Sequence, residues 1–210
     1  MKRIVFVDIP MKKKLDKHLY AAECGSSVTY DREVIFPINA VLAGTINKDE
    51  DIKVVLLKKL DAEGNSDIHS GEFMKELNSI NRDIGARISY EIVDTPFEET
   101  REIHESLLRR MIAQIENGAA VYADITYGPK PLPIILFCVL NFAEKFFNCD
   151  IKNIVYGKVD FITLPDGNTR TENPVLFDVT PLYYLNSVIN AIECKSSEEA
   201  LKMLDALLAL

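Results

Sequence analysis

The residues best suited to chemistry fall in two short segments. The first, Asp124-Ile125-Thr126-Tyr127-Gly128-Pro129-Lys130-Pro131-Leu132-Pro133, places a hydroxyl, an aromatic ring, a glycine and a lysine in close succession. Gly128 permits a backbone approach that a Cβ would block. The prolines at 129, 131 and 133 stiffen the segment, and their missing N–H groups cost least in the first turn of a helix. A helix start also attracts anions through its free amides. Thr126 can donate to a phosphate, Lys130 can neutralise it, and Tyr127 can stack on a base. These residue types in this order suit a loop that holds a nucleotide phosphate. The loop is neither G-x-x-x-x-G-K-[ST] nor G-x-G-x-x-G. The second segment, Asp8-Ile9-Pro10-Met11-Lys12-Lys13-Lys14, sets a run of lysines just behind an acid. That run reads either as a solvated surface loop or as charge held for an anion.

The other candidates are weaker. His18, His69 and His104 lie in separate segments without H-x-x-x-H spacing or cysteine partners, so no metal site is expected. Ser26 and Ser27 follow Gly25 but lack a G-x-S-x-G frame. Cys24, Cys138, Cys149 and Cys194 form no C-x-x-C pair and read as reduced thiols of a cytoplasmic protein, with Cys138 a small core residue. Glu98, Glu99, Glu102 and Glu105 fit the solvent face of a helix. No cofactor is expected.

Both segments follow short apolar runs. Ile4–Val7, Val54–Leu57, Ile88–Val93, Ala119–Ala123 and Ile154–Tyr156 are nearly continuous in apolar residues, as strands covered on both faces are. Between them the apolar spacing is helical over Val34–Ile46, Phe73–Ile84, Phe97–Ile115 and Leu132–Phe147. Thr95-Pro96-Phe97-Glu98 reads as a capping box and Asn117-Gly118 as the stop for the third of these. Strands alternating with helices predict right-handed crossovers and an open α/β sheet. After Tyr156 the pattern changes. Lys158–Leu164 and Pro174–Val179 read as strands about a turn at Asp166-Gly167, which is a β-hairpin extension. Helices are expected at Leu182–Ile192 and, behind the capping box Ser196-Ser197-Glu198-Glu199, from Ser197 to Leu210. Residues 1–194 thus read as one domain and 195–210 as a terminal helix.

The chain has 210 residues, 48% hydrophobic and 27% charged, which excludes wholesale disorder. The formal charge of −8 disfavours a surface that coats long nucleic acid. The charge is uneven, however. Residues 1–20 hold Lys2, Arg3, Lys12, Lys13, Lys14 and Lys17 against Asp8 and Asp16, and the remainder is strongly acidic. No apolar run reaches the ~18–20 residues that span a bilayer, and the first residues do not read as a signal peptide.

The strand-end loop resembles the second ligand motif of CRISPR-associated Rossmann-fold (CARF) domains of the Csx/Csm type. These domains sense cyclic oligoadenylate in type III CRISPR antiviral defence. Asp124, Thr126, Gly128, Lys130, Leu132 and Pro133 fill the motif's positions, and Tyr127 stands where a histidine is usual. Tyr156-Gly157, Asp178-Val179-Thr180-Pro181 and Val28-Thr29-Tyr30-Asp31 are similar to further steps of that family. The first strand departs from it, lacking the family's Gly-rich loop. The resemblance implies a Rossmann-like, open, mostly parallel α/β sheet with helices on both faces and a C-terminal β-hairpin extension.

The resemblance implies first a homodimer that binds cyclic oligoadenylate, most fittingly cyclic tetra-adenylate, across its two-fold axis and signals to an effector domain or protein. Asp8, Pro10, Met11, Lys12, Thr126, Tyr127, Gly128, Pro129, Lys130 and Tyr156 would form the ligand site. It implies as an alternative a ring nuclease that cleaves this ligand without metal, with Lys130 or Lys12 stabilising charge and Thr126 positioning. A third possibility, another nucleotide-binding enzyme on a similar sheet, lacks the glycine fingerprint after the first strand. Neither a membrane nor a long nucleic acid is an expected partner.

Overall fold

The computed structural model describes residues 2–23, 30–165 and 169–208, and in them strands and helices alternate as the periodicity predicts. The chain runs β1 (Arg3–Asp8), β2 (Ala21–Ala22), α1 (Pro37–Thr45), β3 (Asp51–Lys59), α2 (Asn65–Asn81), β4 (Arg87–Thr95) and α3 (Arg101–Ile112). It continues through β5 (Ala120–Asp124), α4 (Pro131–Phe147), β6 (Asp150–Thr163), β7 (Thr169–Asp178), α5 (Thr180–Ala191) and α6 (Ser197–Leu208).

The sheet order is β2-β7-β6-β5-β1-β3-β4, and every pairing is parallel except the β6–β7 hairpin. From β1 the chain first builds outward through β3 and β4. It then returns to the other side of β1 to lay down β5 and β6. The order reverses between β1 and β5, which is where an open α/β sheet leaves a crevice. This is the Rossmann-like architecture expected from the sequence.

β1 is buried along its whole length, so its alternate side chains feed two separate cores. Ile4 and Phe6 pack with Leu107 and Met111 of α3, Leu136 and Leu140 of α4, and Tyr183 of α5. Val5 and Val7 pack on the other face with Ile38 and Leu42 of α1 and Phe73 and Leu77 of α2. Among the described residues no helix is long and apolar enough to cross a membrane.

Several details differ from the sequence reading. Ile154–Tyr156 and Lys158–Leu164 are not two strands but one continuous β6. Gly157 looks like a break in sequence, yet it serves close packing. A Cβ there would stand 2.3 Å from Pro37 Cγ. Thr95 does not cap α3, because β4 stays paired to β3 as far as Lys59 opposite Thr95. The cap is Thr100, whose hydroxyl accepts from the Ile103 amide at 3.4 Å. α2 starts at Asn65, well before Phe73. Its first turn is secured by polar contacts that leave no apolar stripe, with Asp61 accepting from the amides of Asn65 (2.8 Å) and Ser66 (3.1 Å). Cys138 is exposed rather than in the core, since α4 turns Leu132, Leu136, Val139, Leu140 and Ala143 inward. The capping box of α6 forms, with Ser196 Oγ accepting from the Glu199 amide at 3.2 Å, but α6 buries no residue. Cys24, Ser26, Ser27, Val28, Thr29, the Asp166-Gly167 turn and Leu210 lie outside the described residues.

Candidate functional site

Asp8 and Asp124 end the two strands that flank the reversal, with Val7 opposite Asp124 in the β1–β5 ladder. Above them opens a cavity of about 550 Å³. Its walls are the segment after β1 from Pro10 to Tyr20, the loop after β5 from Thr126 to Gly128, and the outward half of the β6–β7 hairpin. The fold therefore brings Pro10, Met11, Lys12, Thr126, Tyr127, Gly128 and Tyr156 to one place, although they come from three distant stretches of sequence. Asp8 lies beneath them. Pro129 faces away and borders a small void beside Lys58 and Lys59. Lys130 is exposed at the start of α4 and does not line the cavity.

Local hydrogen bonds explain how the loop after β5 holds its form. Asp124 accepts from the Thr126 amide (2.8 Å) on one oxygen and from the Ile38 amide (3.1 Å) at the start of α1 on the other. The Thr126 hydroxyl oxygen accepts from the Gly157 amide at 2.8 Å, which ties β5 to β6. Its own hydrogen turns to the Asp124 carboxylate, a bond that opposes the upward shift of that group. The same device recurs after β7. Thr180 donates its amide to Asp178 (2.9 Å), and its hydroxyl accepts from the Ile154 amide (2.8 Å). An Asp-x-Thr step is thus a way of ending a strand here, and Thr126 differs from Thr180 in lining the cavity.

The aromatic wall is fixed rather than loose. The Tyr127 hydroxyl donates to the Ile35 carbonyl at 3.1 Å, and its ring meets Phe36 edge-on at 6.3 Å. Burial pushes the Tyr127 and Tyr20 hydroxyls far above their ordinary range, so both stay protonated. Gly128 has φ +90°, and a Cβ on it would stand 2.9 Å from an Asp8 oxygen. A glycine is required there on both counts.

The floor carries two buried carboxyls. Asp8 is 1% exposed, and among the described residues neither of its oxygens has a hydrogen-bond partner. Burial first, and the Asp124 charge second, raise it well above the ordinary carboxyl range. Burial likewise pushes Asp124 up to about 6, against the opposing bonds from Thr126 and Ile38. Two such groups on neighbouring strand ends do not both ionise readily near neutral pH.

The anion-holding capacity differs in one respect from that expected of the sequence. Pro131 and Pro133 have no amide, and the Leu132 amide donates to the Pro129 carbonyl at 3.0 Å. The start of α4 therefore offers few free donors. Positive charge comes instead from the segment after β1. Lys12 and Lys14 line the cavity, Lys14 paired with Asp16 at 3.3 Å, and the Lys12 ammonium lies 4.8 Å from the centroid of the Phe161 ring across it. α2 holds this segment from below. Asn65 donates to the Met11 carbonyl (3.3 Å), and the buried His69 ring contacts the Lys12 carbonyl (2.6 Å) and Glu72 (2.7 Å).

The sequence reading weighed His18 only as a metal ligand and passed over Tyr20 and Phe161, and all three line the cavity. A signal was available. Asp16, His18 and Tyr20 share a spacing of two, as do Gly157, Val159 and Phe161, and each set lines the cavity.

No protein-family model matches the chain. Over 86 residues, 41% of its length, it is 32% identical to a CRISPR-associated protein of Methanocaldococcus jannaschii. The matched stretch spans 13% of that protein's length, so this chain is similar to a small part of it.

Proposed function

We propose that this chain is a sensor domain of a CRISPR system that binds a cyclic oligoadenylate, cyclic tetra-adenylate fitting best, across a two-fold homodimer. The observation that carries the reading is the cavity at the strand reversal. There the loop with the family-like motif (Thr126, Tyr127, Gly128) faces Lys12, Lys14 and Tyr156. Ammonium groups would meet phosphates, and Tyr127, Tyr156 and Phe161 offer aromatic faces to bases. Similarity to a CRISPR-associated protein supports the setting.

The size of the cavity supports the dimer. At about 550 Å³ it matches a site for one small molecule. A ring of several nucleotides needs a second such cavity, and a two-fold axis supplies an identical one. Lys130, outside the cavity of its own chain, would then meet the ring from the rim. Closure of the two copies on the ligand would be the event passed to an effector.

Calorimetric titration with cyclic tri-, tetra- and hexa-adenylate tests this. The expected result is tightest binding of the tetramer with one ring per two chains. Absence of binding at micromolar protein, or one ring per chain, would overturn it.

A further inference from the structure

The lysines of the cavity stand on a segment with little of its own to hold it. From Pro10 to Lys17 the chain forms neither helix nor strand, and among the described residues none of these makes a backbone–backbone hydrogen bond. Two carbonyls in the segment are held, both by side chains of α2. Asn65 donates to the Met11 carbonyl at 3.3 Å, and His69 Nε2 lies 2.6 Å from the Lys12 carbonyl. Asn65 and His69 are one helical turn apart, so they share a face of α2, and both are buried. The other imidazole nitrogen, Nδ1, lies 2.7 Å from Glu72 Oε2. Both partners of this imidazole are acceptors only. A neutral imidazole has one N–H and can serve one of them, whereas the doubly protonated form serves both. The elements packed on α2 turn their polar groups elsewhere. From β3, Lys58 pairs with Asp67 and Asp94, and from α1, Asn39 donates to Glu76. The Lys12 ammonium is directed to Phe161. Glu72 is thus the charged group against His69 among the described residues.

We propose that His69 is a proton-dependent positioning residue for the anion site: doubly protonated, it ties the Lys12 main chain to Glu72 and holds the lysine segment over the cavity. Loss of one proton frees the segment and weakens the hold on the ligand. The inference rests on the ligand reading above, which makes the ligand a set of phosphates met by Lys12. A neutral imidazole gives its single N–H to the carboxylate, the stronger acceptor. The Lys12 carbonyl is then left to water, and the segment keeps only its contact with Asn65. His69 does not line the cavity, so its effect passes through Lys12. The coupling is reciprocal: phosphates held by Lys12 favour the proton on His69, as the proton favours the phosphates.

The test is calorimetric titration of the full chain with cyclic tetra-adenylate between about pH 5.5 and pH 8.5, the range over which histidines change charge. Wild type, Glu72→Gln and His69→Gln are compared. Asp8 and Asp124 beneath the cavity and His18 on its wall also titrate in or near this range. The informative quantity is therefore the part of the pH dependence that Glu72→Gln removes. A glutamine amide can donate to Nδ1 as well as accept from it, so a neutral imidazole beside it keeps its N–H on the Lys12 carbonyl. Glu72→Gln should bind about tenfold more tightly than wild type at the upper pH, the scale of one charge-assisted bond, and match wild type at the lower. A merely structural histidine would give no such gain. His69→Gln should bind about tenfold more weakly than wild type at the lower pH and match it at the upper. Coincident wild-type and Glu72→Gln profiles, or a gain equal at both ends, would overturn this proposal and leave the sensor reading standing. Failure of the wild type to bind cyclic tetra-adenylate would remove both.

Discussion

Replacing Asp8 with asparagine should stabilise this protein at neutral pH and do little in acid. Asp8 and Asp124 are both 1% exposed, and Asp8 has no hydrogen-bond partner among the described residues. The scale of the penalty can be taken from Asp124, which burial pushes up to about 6. Against an ordinary value near 3.9, that displacement corresponds to about 3 kcal/mol, at ~1.4 kcal/mol per tenfold change. Because the folded-state pKa is raised, the unfolded chain loses its proton first. Stability is fully present below about pH 4 and declines as pH rises through about 6, where the folded form also ionises. Asp8 is raised by burial and by the Asp124 charge, so it adds in the same direction. An asparagine removes one of the two titrations and the repulsion between them. The gain expected is about 1–3 kcal/mol at pH 8, one to two tenfold steps at ~1.4 kcal/mol each, or ~2–4 °C per kcal/mol in a chain of this size. Urea unfolding followed by circular dichroism at pH 4, 6 and 8 measures it. A variant less stable than wild type at pH 8, or a gain equal at pH 4 and pH 8, would refute the reasoning.

Further outcomes follow from the same geometry. Gly157→Ala places a methyl against Pro37 and should cost about 1–3 kcal/mol in urea unfolding. Lys12→Ala should weaken cyclic tetra-adenylate binding by about tenfold, the scale of one charge-assisted contact, and flatten its salt dependence. Lys130→Ala, outside the cavity, should cost less in the same titration. Thr126→Val and Thr180→Val each remove a hydroxyl that accepts a strand amide (2.8 Å in both) and should lose comparable stability, about 1–3 kcal/mol. Only the first should also weaken ligand binding.

The sheet was legible because β1, β3 and β5 are buried almost throughout and so read as unbroken apolar runs. The reversal between β1 and β5 follows from the alternation of strands with helices once their order is known. Helix starts were less legible where polar groups satisfy each other. The Asp61–Ser66 contacts that begin α2 look like loop chemistry in sequence. A capping pattern at Thr95 looked sound because sequence does not show that β3 extends to Lys59 and keeps Thr95 in the sheet. In the site, Thr126–Gly128 and Lys12 were visible from residue type and from their place after a strand. His18 and Phe161 were not, since they reach the cavity only when the β6–β7 hairpin and the segment before α1 pack around it.

The two Asp-x-Thr steps separate what builds the sheet from what could serve a ligand. Asp178–Thr180 and Asp124–Thr126 make the same bonds, an amide to the carboxylate and a neighbouring strand's amide to the hydroxyl. Only the second opens onto the cavity, so the motif alone does not specify a site. What distinguishes it is the company brought by other elements: lysines from the segment after β1, aromatic rings from the hairpin, and the carboxyl pair below. That arrangement also resolves the charge problem. A chain of net −8 disfavours long polyanions, but Lys12 and Lys14 bring two ammonium groups to one concave point, against Asp16, which pairs with Lys14 at 3.3 Å. The carboxyls beneath oppose an anion least when they hold their protons, as burial disposes them to do. On the proposed reading, an acidic protein admits a small ring of phosphates at this point while its acidic remainder disfavours longer strands.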